Sequence, residues 1–302
     1  RDLFDHKGPL LFMLYALGAR VSQTSFIGVF LLETVSLAAT LYAGWRTVCL
    51  YGKGRLTLLS IPLTAMTACC CTAFTQGGSA EEFCLPALAL GLYLALALMK
   101  NQIAHPEAAQ ALFGAAAGWV FLVKYTDCGL FAGLGLCLLI GVICREGWLS
   151  AVCAALRMLL GVVLVCLPVA GYLAVNGALG DCVNVYFIQN LFDYSGTPMT
   201  LTGHLYNALA YLRTQSMVNP ALALAAGAGM LFITADAIRT HERGFWAQAL
   251  AVPMGAGLLL LTCYWGEMAH PYYALVFAAF VPVGLIPLGW LAPKLEKSGL
   301  RA

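Results

Sequence analysis

Charge is what this sequence has least of. Asp, Glu, Lys and Arg make up 10% of its 302 residues, while 61% are hydrophobic. A soluble globular domain carries about a quarter charged residues, so the composition excludes one. The twelve cysteines include no C-x-x-C pair and no spacing with histidine that suits a metal. That argues against a zinc or thiol redox site, and neither metal nor cofactor is expected. Cys69, Cys70, Cys71, Cys137, Cys153 and Cys166 fall inside apolar runs, where they behave as small buried hydrophobes. No internal repeat of the kind that marks alternating-access transporters is visible. The net charge of +2 says little about partners, and no nucleic-acid partner is expected.

What the chain has in abundance is apolar runs of about 18 residues or more, with a mean hydropathy of +0.84. Lipid offers no partners to open backbone N–H and C=O groups, so each run must be a helix. The expected fold is all-α, a polytopic transmembrane bundle forming a single domain over 1–302. Spans are predicted at 25–47, 56–74, 83–99, 108–124, 128–144, 151–174, 218–236, 245–263 and 272–291, about nine in all. The stretch 9–20 is too short to cross and reads as an interfacial helix with Pro9 in its first turn. Residues 1–24 thus form a loop and interfacial helix, and 175–216 a long, partly helical loop on the same face. Long ordered loops usually carry function.

Lys and Arg set the orientation. Eleven (Arg46, Lys53, Arg55, Lys100, Arg145, Arg157, Arg239, Arg243, Lys294, Lys297, Arg301) fall on one side of the predicted bundle. Five (Arg1, Lys7, Arg20, Lys124, Arg213) fall on the other. The richer side is expected to be cytoplasmic, which turns the start of the chain outward. Asp2, Asp5, Glu81, Glu82, Asp127, Asp181, Asp193 and Glu267 all gather on that outer side.

Four outer clusters are candidates for chemistry. Asp2, Asp5, His6 and Lys7 precede Gly8-Pro9; a carboxylate and an ammonium so close suit a general base and a phosphate clamp, or a solvated collar with a snorkelling lysine. In TQGGSAEEF, Gly77 and Gly78 let a ligand approach the backbone, and Glu81-Glu82 place negative charge at a helix N-terminus. Capping of that helix explains the acids equally well. In FLVKYTDCG, Lys124 either pairs with Asp127 or binds an anionic lipid phosphate. In YWGEMAHPYYAL, His270 and Tyr272 either contact a sugar or phosphate or belong to the interfacial aromatic belt. Glu33 is the one acid inside a predicted span and should face protein. Together these clusters describe a surface at the membrane boundary that handles something anionic and lipid-linked.

The opening Arg1-Asp2-Leu3-Phe4-Asp5-His6-Lys7-Gly8-Pro9-Leu10-Leu11 resembles that of bacterial GT-C glycosyltransferases. These are the polytopic enzymes related to protein O-mannosyltransferases and to the lipid A aminoarabinose transferase (glycosyltransferase 39-like). The resemblance continues in Gly77-Gly78 with Glu81-Glu82, in Lys124, in NGALGDCVNVYFIQN (Asn176 to Asn190) and in His270-Pro271-Tyr272-Tyr273. It implies transfer of a hexose or pentose from a polyprenyl-phosphate donor to a lipid, glycan or protein acceptor, with inversion, at the outer face of the cytoplasmic membrane. By that resemblance Asp2 and Asp5 are catalytic, and Lys7, Lys124 and His6 lie by the donor phosphate. Glu81, Glu82, Asp127, His270 and Tyr272 are then substrate-binding. It further implies a preceding helix and an earlier aspartate, so the chain is expected to be a fragment whose primary base lies upstream. The alternative is a transporter or flippase for an anionic or lipid-linked solute; a non-catalytic membrane scaffold is a third reading.

Overall fold

A computed structural model describes residues 7–74, 77–192, 199–240, 243–266 and 270–297. Among the described residues there are helices and no strand. In chain order they are α1 (Pro9–Val21), α2 (Ile27–Cys49), α3 (Ser60–Cys69), α4 (Ala80–Met99), α5 (Pro106–Lys124), α6 (Gly129–Glu146) and α7 (Trp148–Val175). The short α8 (Leu179–Val183) and α9 (Asn190–Phe192) flank a π-turn. Then come α10 (Leu201–Val218), α11 (Pro220–Thr240), α12 (Phe245–Cys263), α13 (Val281–Gly284) and α14 (Ile286–Lys297). Prolines open α1, α5 and α11, where a missing N–H costs nothing. Gly147 (φ +93°) alone joins α6 to α7, a conformation an L side chain rarely adopts.

Seven stretches are long and apolar enough to cross a membrane. The α7 stretch is the most apolar, yet only 6% of its window is buried, and Leu156, Leu160, Leu164 and Leu167 all point outward. Water would not tolerate that surface; acyl chains do, and this is a multi-pass membrane protein. Helix α4 sits at the centre, walled by α2, α5, α6 and the segment 271–280. Helix α7 packs outside α5, and α12 outside α6.

Two expected spans take a different form. Over 56–74 the chain makes a 3₁₀ turn at Arg55–Leu59 and a helix of only ten residues that ends at Cys69. Pro62 has no N–H for the Leu58 carbonyl, and the Thr57 and Ser60 hydroxyls bond carbonyls three residues back. The tighter winding follows. Over 272–291 a 3₁₀ run (Pro271–Phe280) passes into α13 and α14, broken by Pro282 and Pro287. The stretch 106–146 is largely apolar but bends back on itself after Lys124, through a 3₁₀ turn at Tyr125–Cys128. Phe113 and Phe131 consequently meet with ring centroids 5.2 Å apart.

Between helices in lipid, close packing replaces the hydrophobic drive, so small residues mark the contacts. A Cβ on Gly161 would lie 1.8 Å from the Ala111 carbonyl oxygen. Gly161→Ala should therefore pry α7 from α5 and cost about 1–3 kcal/mol. Gly171, on the same helix with nothing within 4 Å, should tolerate Ala without loss. Thermal midpoints of the two variants in detergent check the pair; equal midpoints would refute this packing.

The charged ends separate as the helices direct. Helix α4 carries Glu81 at its start and leads to Lys100 nineteen residues on, a rise of about 30 Å. At the Lys100 end, Lys100 pairs with Asp236 at 2.7 Å and stands 4.5 Å over the Tyr51 ring. Arg145 donates to the Met99 carbonyl there, and Arg157 to Gln110. Lys7, Lys124 and the acids Glu81, Glu82 and Asp127 occupy the opposite end.

Candidate functional site

Ser79 opens α4 as a reciprocal cap. Its hydroxyl accepts from the Glu82 N–H, and its own N–H donates to Glu82 Oε1 at 3.1 Å. Adjacent helical residues point about 100° apart, so once Glu82 turns back onto the cap, Glu81 must face elsewhere. It faces the end of α5. Lys124, the last residue of that helix, donates to Glu81 Oε1 at 2.5 Å and lies 3.5 Å from Asp127 Oδ1 in the following 3₁₀ turn.

All three groups are buried: Glu81 and Asp127 are 0% exposed and Lys124 is 7%. Burying charge is costly unless it is paired and hydrogen-bonded, and here one ammonium serves two carboxylates. The Cys263 thiol adds a donor to Asp127 Oδ1 at 3.1 Å. The Tyr273 ring lies 3.6 Å from Lys124 Nζ. One oxygen of each carboxylate, Glu81 Oε2 and Asp127 Oδ2, is buried without a hydrogen-bond partner, as is the Tyr264 hydroxyl. Unsatisfied polar atoms in that number are uncommon in a packed core.

Lys7 is the second cation. Its ammonium stands 5.7 Å from the centroids of both Tyr272 and Tyr273, and its charge reaches Glu81 and Asp127. Tyr273 is thus shared by both lysines. His270 stacks on Tyr272 at 5.2 Å, which places it in the same group. The segment carrying Lys7 is tied down locally: the Gly8 N–H donates to the Val123 carbonyl at 3.0 Å. Tyr186 closes the arrangement from the long loop, donating to the Phe121 carbonyl at 2.7 Å and accepting from the Tyr125 N–H at 2.8 Å. Burial pushes the Tyr186 phenol well above its ordinary value, which keeps the O–H as a donor.

Glu33 lies next to this end, with Oε1 buried and unpartnered and placed near Gly78 and Glu82. Tyr15 fastens α1 to the same loop by donating to the Gly78 carbonyl at 2.6 Å. Beneath the polar cluster an apolar groove of about 550 Å³ runs between α2, α4, α5 and α7, lined by Leu14, Leu32, Phe83, Leu90, Trp119 and Val165. The Trp119 indole N–H donates to the Phe83 carbonyl, fixing one wall.

The structure therefore brings together Lys7, Glu81, Lys124, Asp127, His270 and Tyr272, and adds Cys263, Tyr264, Tyr273 and Tyr186. Glu82 is engaged as a helix cap. Asp2, Asp5, His6, Asp193 and Glu267 lie outside the described residues. Among the described residues no group of three or more His, Cys, Asp or Glu is placed to hold a metal ion. Cys263 carries no sequence signal that separates it from the other apolar cysteines. The capping pattern Ser79-x-x-Glu82 is such a signal for Glu81, because it removes Glu82 from contention. Comparison of the chain with models of known protein families, with curated proteins and with solved structures finds no match.

Proposed function

We propose that this chain is a GT-C-type glycosyltransferase module of about nine spans, which moves a sugar from a polyprenyl-phosphate donor to an acceptor at the outer face of the cytoplasmic membrane. One observation supports this above the others: a buried Glu81–Lys124–Asp127 cluster with open carboxylate oxygens stands beside a second lysine at one end of the bundle. Breaking a sugar–phosphate bond leaves negative charge on the departing phosphate, and a fixed cation beside it lowers that barrier. Lys7 takes this role. Lys124 is engaged by two carboxylates and acts by holding them in place. The acceptor hydroxyl needs a base within hydrogen-bond reach. Asp2 and Asp5 are the proposed catalytic acids, with His6 beside the phosphate; Asp127, Glu81, His270 and Tyr272 line the acceptor and sugar side. The apolar groove below suits an isoprenoid chain entering from the bilayer.

Transfer of labelled sugar from a polyprenyl-phosphate donor, in membranes carrying the protein, tests the reading. Lys7→Ala should lower turnover about 100-fold, the scale of losing one charge-stabilising group, at unchanged protein level. Asp5→Asn should also lower it. Unchanged turnover in both variants would refute the assignment. The transporter reading draws on Glu33, an acid within a span whose buried oxygen lacks a partner. Solute uptake lost in Glu33→Gln, with no glycosidic product, would favour it.

A further inference from the structure

At the basic end of the bundle, far from the proposed transfer site, α6 ends where α12 begins. Arg145 is held there by three carbonyl-type acceptors: Nη1 donates to Met99 O at 2.8 Å and reaches Asn101 Oδ1 at 3.4 Å, and Nε donates to Gly141 O. Across from it Arg243 is exposed and forms no ion pair among the described residues. Gly244 (φ +82°) precedes the 19-residue α12 with no side-chain cap, and its carbonyl accepts from the Ala247 N–H at 2.9 Å. One further group faces it from inside. Gln248, one turn into α12, is 6% exposed, lines the notch, and its buried Nε2 donor has no partner.

Two guanidinium groups and a buried orphan amide donor converge on a space of about 10 Å³, room for one oxygen-sized atom. Among the described residues no acid lines it; Asp236 at this end is taken by Lys100. The two guanidinium groups and the Gln248 Nε2 are donors, so the complement is an anion with a protruding oxygen. Trp246 and Trp148, 63% and 72% exposed, flank the two helix starts, and Leu250 is exposed one turn further into α12. Exposed tryptophans of this kind sit at headgroup level, with apolar surface below for acyl chains.

We propose that this notch binds the phosphate of an anionic membrane phospholipid: one phosphate oxygen enters towards Gln248, and the phosphorus sits between Arg145 and Arg243. The site is independent of the transfer reaction. The lipid occupant, rather than free phosphate, follows from the flanking tryptophans and the exposed leucine.

The full chain, delipidated and placed in nanodiscs of phosphatidylcholine, provides the test when phosphatidylglycerol is added stepwise and the thermal midpoint is followed. The midpoint should rise and saturate. Arg243→Gln should weaken the apparent affinity about fivefold, the worth of one basic residue at a lipid surface. Gln248→Met, which keeps shape and loses the donor, should weaken it too. Lys294→Gln, at the same end but off the notch, should not. No rise with phosphatidylglycerol overturns the proposal, as does equal weakening by Arg243→Gln and Lys294→Gln. An equal rise from inorganic phosphate in phosphatidylcholine discs overturns the lipid as occupant. Should Gln248→Met not fold, the exposed Arg243 still decides the matter.

Discussion

Lys124→Met should be the most destabilising single change in the protein, costing about 3–5 kcal/mol, because it strands two buried carboxylates without their cation. Glu81 and Asp127 have no exposed surface through which water could take the place of the ammonium. The Cys263 thiol supports Asp127 alone and offers nothing to Glu81. Replacing one acid is milder. Glu81→Gln leaves the Lys124–Asp127 pair, and Asp127→Asn leaves the shorter Lys124–Glu81 bond. The triple variant Glu81→Gln, Lys124→Met, Asp127→Asn should recover most of the loss, since a neutral cluster has no desolvated charge to compensate. Thermal midpoints in one detergent rank the four proteins. A Lys124→Met midpoint equal to that of the unaltered chain would show that the cluster is not buried as described.

That cluster was half legible in the sequence. Lys124 and Asp127 sit three residues apart at the end of an apolar run, close enough that their pairing is one of the two readings open there. Glu81 is 43 residues away, and joining it to Lys124 requires α4 to lie against α5 in a register that hydropathy does not encode. Periodicity fails on α4 for a definite reason. This helix is buried nearly all round, so it has no polar face to orient it. The helical, membrane-spanning character was legible throughout, because it depends only on apolar length. Where proline interrupts apolar length the reading was poorer: 56–74 opens in a 3₁₀ turn and runs on as a ten-residue α-helix, and 272–291 stays long and apolar enough to cross but begins as a 3₁₀ run before two α-helices. Tyr186 shows a different limit. A tyrosine among the apolar residues of a long loop suits a cap on the membrane surface, yet Tyr186 is 3% exposed and ties that loop to the end of α5. Its partners are backbone groups, and no residue type announces a free carbonyl or amide.

Gly8→Ala should do disproportionate damage for a single methyl group. The glycine's φ of −74° is one that any residue adopts, so the cost is contact and not backbone strain. The added Cβ would fall 2.0 Å from the Leu122 carbonyl oxygen and 2.8 Å from the Tyr186 hydroxyl. Backbone on one side and a doubly bonded phenol on the other leave nothing cheap to move. The segment must lift, breaking the Gly8 N–H bond to Val123 and carrying Lys7 away from Tyr272 and Tyr273. Overpacking of this kind costs about 1–3 kcal/mol. The effect on the proposed transfer should be larger, about 100-fold, because a displacement of an ångström at a charge-stabilising group costs on that order. Tyr186→Phe should not rescue Gly8→Ala, since the nearer obstacle is the Leu122 carbonyl and the Tyr125 N–H would lose its acceptor. Measuring stability and turnover together separates the two roles of this segment. A fall in turnover well beyond the fall in stability identifies it as the element that positions Lys7, whereas a matched fall assigns it to packing alone. A Gly8→Ala protein unchanged in both would mean that the segment does not approach α5 as closely as described.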